Sequence, residues 1–356
     1  MKSTQDYVKD VDSFLLRFLK ERSNQLSEIS PEAQELTEYI LELALGGKRM
    51  RAQLCYLGYL YASGTNYPAI VTAGAAIEMF QTAALIHDDI IDSSETRRGK
   101  TTIHTRYQQQ HQDENLAGSP EEYGIATAIL GGDLCLSFSE EIFAQASELI
   151  SETYEARKIF NTMRYEVMAG QFMDIHEETA FNEPHDLNAY ERAFNVLTFK
   201  SAKYSVEHPL VIGAALADAS QKDLQQLADF GLPLGQAFQL RDDLLGVFGE
   251  PQLTGKPAGD DIKEGKRTVL IAFTLENSSE KDIKFINSHL GDASMNSEEL
   301  EKILHIIQQS QAPQRCETLI NKLTAQSYDA LAKLHENTEV TQELKTIAQR
   351  LTQRDA

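Results

Sequence analysis

The sequence predicts an all-α, single-domain fold, and three observations carry that prediction. Apolar residues recur at three- and four-residue intervals along most of the chain. Capping residues followed by proline open these stretches, and glycines close them, as at the ends of helices. No alternating strand pair and no repeat of solenoid period is legible. At 356 residues, 42% hydrophobic and 24% charged, the chain has the material for a sizeable core.

Taken in order, Tyr7, Val11, Phe14, Leu15 and Phe18 form the stripe of a first amphipathic helix. Ser30-Pro31-Glu32 starts a second, since serine caps and proline suits the first turn. Leu36, Ile40 and Leu43 carry it to Gly46-Gly47. Asn66-Tyr67-Pro68 opens a long apolar helix that runs to about Asp92. Residues 108–123 are polar, with a glutamine cluster and Gly118-Ser119-Pro120, and read as a surface loop. Further helices are expected over 124–149, 152–178, 188–216 and 222–248, the last bent by Pro233. Beyond Asn277 the chain is more polar, and Leu300, Ile303, Leu304 and Ile307 suggest helices covering one side of the core.

Charge narrows the function. Lys and Arg number 33 against 54 Asp and Glu, a net −21, so nucleic acid and anionic membrane surfaces are excluded as generic partners. No apolar run reads as a membrane span, and no signal-peptide core accompanies Asp6, Asp10 and Asp12. A cytoplasmic protein that is not integral to a membrane is expected. Cys55, Cys135 and Cys316 are too widely spaced to indicate a disulfide framework or a zinc site.

Two acidic clusters carry the chemistry. Asp88-Asp89-Ile90-Ile91-Asp92 ends the long apolar helix, and at about 100° per residue Asp88 and Asp92 share nearly one face. Such carboxylates suit Mg²⁺, which takes oxygen ligands and keeps waters and substrate phosphates. Alone, the motif reads first as a solvated helix end. Arg97 and Arg98 follow at once, however, and Lys48, Arg49 and Arg51 gather upstream after Gly46-Gly47. Cations beside a metal motif make sense as clamps on phosphate oxygens. Asp242-Asp243 repeats the design far downstream, followed by Lys256, Asp260-Asp261 and Lys266-Arg267. Two metal-binding faces, each flanked by cations, would hold a diphosphate between them.

At this point the chain resembles the trans-isoprenyl diphosphate synthases of the polyprenyl synthetase family, over about residues 36–268 of one domain spanning 1–356. The matching segments are GGKRMR, EMFQTAALIHDDIIDSSETRRGK, GGD at 131–133, GQFMD at 170–174, FKSA at 199–202 and FQLRDDLLG…GKPAGDD…EGKRT. The resemblance implies an all-α bundle with a central cavity, a homodimer, and condensation of isopentenyl diphosphate with an allylic diphosphate. It implies three Mg²⁺ ions, two on Asp88 and Asp92 and one on Asp242, with Asp89, Asp243 and Asp261 as nearby carboxylates. Arg97, Lys200 and Lys256 would hold the allylic diphosphate, with Lys266 close by. Lys48, Arg51, Gln81 and Arg98 would hold the diphosphate of isopentenyl diphosphate. Backbone dipoles at Lys200 and Ser201, with Gln239, would steady an allylic carbocation. His87 invites a reading as a base, but helix packing is the stronger one. Gly246 departs from the pattern, since aspartate is usual at that position.

The growing tail should run back along the helix that ends in Asp88. Ala84 and Ala83 leave space there, and Phe80 lies about 5.4 Å further down, a rise close to one isoprene unit. A floor at Phe80 favours a C20 product, geranylgeranyl diphosphate; if Phe80 packs into a neighbouring helix, C30–C50 products follow. A non-catalytic partner subunit and a terpene cyclase are the competing readings. Retained Asp88, Asp92 and Asp242 count against the first, and Lys48, Arg51 and Arg98 against the second.

Overall fold

Serine, threonine or asparagine side chains start eight of the described helices. In a computed structural model, which describes residues 2–151, 153–180, 188–249, 259–292, 294–334 and 338–352, Ser3, Ser30, Asn66 and Ser119 each accept from a backbone N–H three residues on. Each such cap contributes about 1 kcal/mol to its helix.

The chain divides into two compact units, Met1–Thr153 with Gly213–Asp218, and Tyr154–Ile212 with Ala219–Ala356. In the first, α1 (Thr4–Ser27), α2 (Pro31–Ala44), α3 (Met50–Tyr61), α5 (Ile103–Asp113) and α6 (Pro120–Glu148) surround α4 (Tyr67–Ile91) or pack on its neighbours. Ala69 to Met79 of α4 is an unbroken buried run, so this helix is apolar all round because it is central. Its best 18-residue window has mean hydropathy 1.6, enough in length and composition to cross a membrane, contrary to the sequence reading. That window is 83% buried within the protein, which is the signature of a core helix.

The second unit contains α7 (Tyr154–Ala180), α8 (Ala189–Val196), a π-helical segment (Leu197–Glu207), α9 (His208–Leu216) and α10 (Gln221–Phe248). Shorter helices follow: α11 (Asp260–Lys263), α12 (Val269–Glu276), α13 (Glu280–His289), α14 (Ser297–Gln309), α15 (Ala312–Leu331) and α16 (Thr338–Thr352). Leu240, Leu244, Val269, Leu270, Ile303, Ile307 and Ile320 share one core, so the polar C-terminal third does cover it. Pro233 lies inside a continuous α10. The Ser327 hydroxyl donates to the Phe230 carbonyl at 3.0 Å, next to the carbonyl that loses its helical donor to proline.

Three expectations need correction. Residues 108–113 are not loop but the end of α5, whose buried Ile103, Tyr107 and His111 make a narrow stripe of period four. A two-stranded hairpin pairs Thr96–Arg97 with Lys100–Thr101. The helix expected over 188–216 changes winding for eleven residues, from Leu197 to Glu207.

Candidate active site

In the first unit, α4 ends in a Schellman turn. Ser93, at φ 51°, sends its N–H to Ile90, and Ser94 sends its own to Asp89 at 2.9 Å. The chain reverses there into the hairpin, and both turn residues, Arg98 and Gly99, have positive φ as a two-residue hairpin requires. The reversal returns Arg97 to the helix end. Its Nε donates to Asp89 Oδ1 at 2.5 Å and its Nη2 to Asp88 Oδ2 at 3.2 Å. Burial pushes the Asp89 carboxyl up to about 6, against the pull of the Arg97 charge and hydrogen bond. Burial opposes the charge on Arg97, but Asp89 and Asp88 outweigh it and hold the guanidinium above its ordinary value.

Arg98 reaches the other way, onto Gly46-Gly47. A β-carbon at either glycine would stand 2.8 Å from one of its guanidinium nitrogens, so the glycine pair is the seat of this arginine. Burial and then the charges of Arg49 and Arg97 hold Arg98 below its ordinary value. An anion placed here would relieve that crowding. Arg49 does not share the task. It is buried, donating to Asp12 at 2.7 Å, to Glu78 at 3.4 Å and to the Ala44 carbonyl. Lys48 is exposed and Arg51 half-buried. Behind the hairpin lies a cavity of about 250 Å³ that Arg97, Arg98, Gly46, Glu42, Lys100 and Arg106 help to line.

Gln81, Ala84 and Asp88 are all partly exposed and lie within about 60° of one another around α4. Ala83 is fully buried about 140° from Asp88, and Phe80, 1% exposed, about 80° from it. Ala76 and His87 flank Phe80 on that side and meet α6: Ser139 donates to the Ala76 carbonyl at 2.8 Å, and His87 Nε2 lies 3.3 Å from the Ile129 carbonyl. A β-carbon at Gly132, in the GGD segment, would come 2.7 Å from His87 Cε1, so this histidine is a packing residue.

In the second unit, α10 presents Asp242 exposed and Asp243 buried. Gln239 Nε2 donates to Asp243 Oδ1 at 2.8 Å. Burial pushes Asp243 up to about 8; the Gln239 bond offsets part of this, and the charges of Asp261 and Asp242 add to the rise. Gly246 now has a physical reason. The Asp261 carboxylate lies so close over it that a β-carbon there would stand 2.7 Å from Asp261 Cγ. Lys266 pairs with Glu264 and lies 3.4 Å from Asp261 Oδ1. Arg241 instead ties α10 to α15, its Nη2 2.8 Å from Glu317 Oε2. Lys256 lies outside the described residues.

Lys200 and Ser201 sit in the π segment, a winding that is rare and concentrated at functional sites. Two residues that the sequence reading quoted but did not assign place them. Gly170 admits the backbone of Lys200, whose Cα would stand 2.6 Å from a β-carbon there, and Asp174 pairs with Lys200 Nζ. Their signal was present as GQFMD, four residues apart on one helix face.

The carboxylates fit Mg²⁺. Among the described residues no preformed group of three ligands exists. None is required, because Mg²⁺ binds through one or two carboxylates and completes its shell with water and phosphate. Asp89 and Asp243, both raised by burial near further carboxylates, mark acidic sites whose charge a divalent cation would compensate.

An aspartate pair at the end of α4 with Arg97 folded back on it, and one near the end of α10 with Asp261 and Lys266 nearby, suit a metal-dependent enzyme that handles diphosphate on an all-α frame. The chain belongs to the polyprenyl synthetase family, whose pattern matches residues 30–307, and it is a trans-isoprenyl diphosphate synthase of this Mg²⁺-dependent family. It is similar to a geranylgeranyl diphosphate synthase of Sulfolobus acidocaldarius, at 34% identity over 79% of each chain. An all-trans-nonaprenyl-diphosphate synthase of Rhodobacter capsulatus is 27% identical over 82% of this chain and 81% of that one. The fold is similar to that of a geranylgeranyl pyrophosphate synthase from Corynebacterium glutamicum, crystallised with isoprenyl diphosphate and magnesium. There the TM-score is 0.93 at 36% identity, covering 99% of this chain and 100% of that one.

Proposed function

We propose that the enzyme adds isopentenyl diphosphate head-to-tail to an allylic diphosphate and stops at C20, geranylgeranyl diphosphate. The paired construction of its two acidic helix ends carries this reading. The names of its relatives support the chain length. In this account Asp88 and Asp92 serve two ions and Asp242 a third, with Asp89, Asp243 and Asp261 as supporting carboxylates. Bound Mg²⁺ supplies the electrostatic stabilisation of the departing diphosphate. Arg97, Lys200, Lys256 and Lys266 hold the allylic diphosphate, and Lys48, Arg51, Gln81 and Arg98 hold that of isopentenyl diphosphate. Oriented dipoles at Lys200, Ser201 and Gln239 face the allylic cation. The double bond of isopentenyl diphosphate attacks that cation, and the proton then leaves to pyrophosphate, so no nucleophilic side chain is needed.

Phe80, large and fully buried below the small Ala84, is the proposed floor of the tail channel. One observation favours the longer-chain alternative. Phe80 stands beside Ala76, Ala83 and His87, the row turned toward α6, which would leave the channel open to C30–C50 products. The enzyme is proposed to act as a homodimer, because α7 exposes Tyr165, Met168 and Phe172 in one stripe and α6 exposes Ile129 and Leu130. A cytoplasmic location agrees with three buried free cysteines.

Labelled isopentenyl diphosphate with dimethylallyl, geranyl or farnesyl primer, with Mg²⁺ and with chelator, tests the proposal. Metal-dependent C20 product supports it. Longer chains discard the floor, and no elongation from any primer by folded protein discards the synthase assignment.

A further inference from the structure

The run from α8 through the π segment into α9 lies antiparallel to α7, and one stripe of α7 makes every tie between them described here. Glu177 receives Arg192 Nε at 2.7 and 2.9 Å. Asp174 receives Lys200, Gly170 admits the backbone at Phe199 and Lys200, and Glu166 takes two partners at once. Lys203 Nζ lies 2.7 Å from Glu166 Oε2, and His208 Nε2 also lies 2.7 Å from that oxygen. Residues 166, 170, 174 and 177 are spaced by four, four and three, a single helix face, so these contacts are rungs of one ladder.

A π winding contains one residue more per hydrogen-bonded ring than an α-helix, so it must be held against relaxing into the commoner form. Its opposite side is held where Gln236 of α10 donates to Thr198 Oγ1 at 3.0 Å. Toward the far end, Gly235 and Gly231 of α10 admit the backbone at Ala202 and Glu207, and from α7 the Glu166 rung clasps the last turn at Lys203 and the first residue beyond it at His208. Lys203 Nζ also lies 5.1 Å from the centre of the Phe199 ring, so the rung bears on the residue next to Lys200. Burial works against the Glu166 charge, but its bonds to His208 and Lys203 outweigh it and hold the carboxyl below its ordinary value. The rung is therefore ionic at neutral pH.

We infer that Glu166 is a positioning residue for the condensation, fixing the π register that aims Lys200 and Ser201. The inference rests on the catalytic reading of Lys200 given above. A double-mutant cycle separates this role from simple loss of stability, because residues acting as one unit are non-additive. Lys200→Ala is expected to lower kcat about a hundredfold and Glu166→Ala about tenfold, with the double variant no worse than Lys200→Ala alone. Glu166→Gln, which keeps a hydrogen-bonding group, should recover to within about threefold of wild type. Lys203→Ala opens the same rung from the other side and should show the same non-additivity if Glu166→Ala does not fold. Losses that multiply in the double variants would overturn the inference and leave the Lys200 assignment standing. An unimpaired Lys200→Ala would overturn both.

Discussion

Gly170→Ala is the smallest change that probes how the π segment is held. In an exposed helix interior this substitution stabilises by about 1 kcal/mol, because alanine loses less backbone entropy. Here the new methyl would stand 2.6 Å from Lys200 Cα and 2.6 Å from the Phe199 carbonyl carbon, both backbone atoms. Ordinary contact begins near 3.4 Å and the Lys200 nitrogen is nearer still, so α7 and the π segment must separate by at least about 0.8 Å at the residue proposed to face the reacting centre. Overpacking of this kind costs about 1–3 kcal/mol, which cancels or exceeds the propensity gain. A shift of that size in a catalytic group costs about a hundredfold in rate. Thermal unfolding should show an unchanged or lower midpoint, and steady-state kinetics a large fall in kcat. A variant with raised midpoint and wild-type kcat would refute the close approach and the role assigned to Lys200.

The remaining predictions concern the acidic clusters and the product. With its carboxyl raised from near 3.8 to about 8, Asp243 binds its proton more tightly folded than unfolded, so its contribution to stability is full below pH 4 and is lost as pH rises through 8. Metal-free protein should therefore lose thermal stability between pH 5 and 8 more steeply than Asp243→Asn, and parallel curves would contradict the burial argument. Arg97→Ala strips the buried Asp89 of its ion pair and should destabilise by about 3 kcal/mol in denaturant titrations; a change below about 0.5 kcal/mol would contradict it. Gly246→Ala must displace the Asp261 carboxylate and should weaken Mg²⁺ binding in the presence of pyrophosphate about fivefold by calorimetry, whereas unchanged affinity would separate Asp261 from the metal. Phe80→Ala should lengthen the product on chromatography, and an unchanged distribution would remove Phe80 as the floor.

Much of this was legible because the chemistry is concentrated in charged residues at helix ends. Asp88, Asp92, Arg97 and Arg98 stand within eleven consecutive positions, and local geometry alone brings Arg97 back to Asp88 and Asp89. Gly246 was visible only as a departure, because its reason lies fifteen residues on in Asp261. The helix at 103–113 escaped notice since its buried stripe is Ile103, Tyr107 and His111, mixed in chemistry and surrounded by glutamines. The hairpin has strands of two residues, too short for any alternation to register. The π winding has no sequence period of its own; partners on other helices, Glu166, Gly170 and Asp174 of α7 and Gln236 of α10, distinguish it from the α-helices beside it.

The enzyme is proposed to use aspartates of both α4 and α10 as Mg²⁺ ligands. A crystal structure with Mg²⁺ and a non-hydrolysable allylic diphosphate analogue tests it most directly. Bound ions ligated by Asp88 and Asp92 and by Asp242 are the predicted result. Ions bound with Asp88 and Asp92, or with Asp242, left unligated would contradict it.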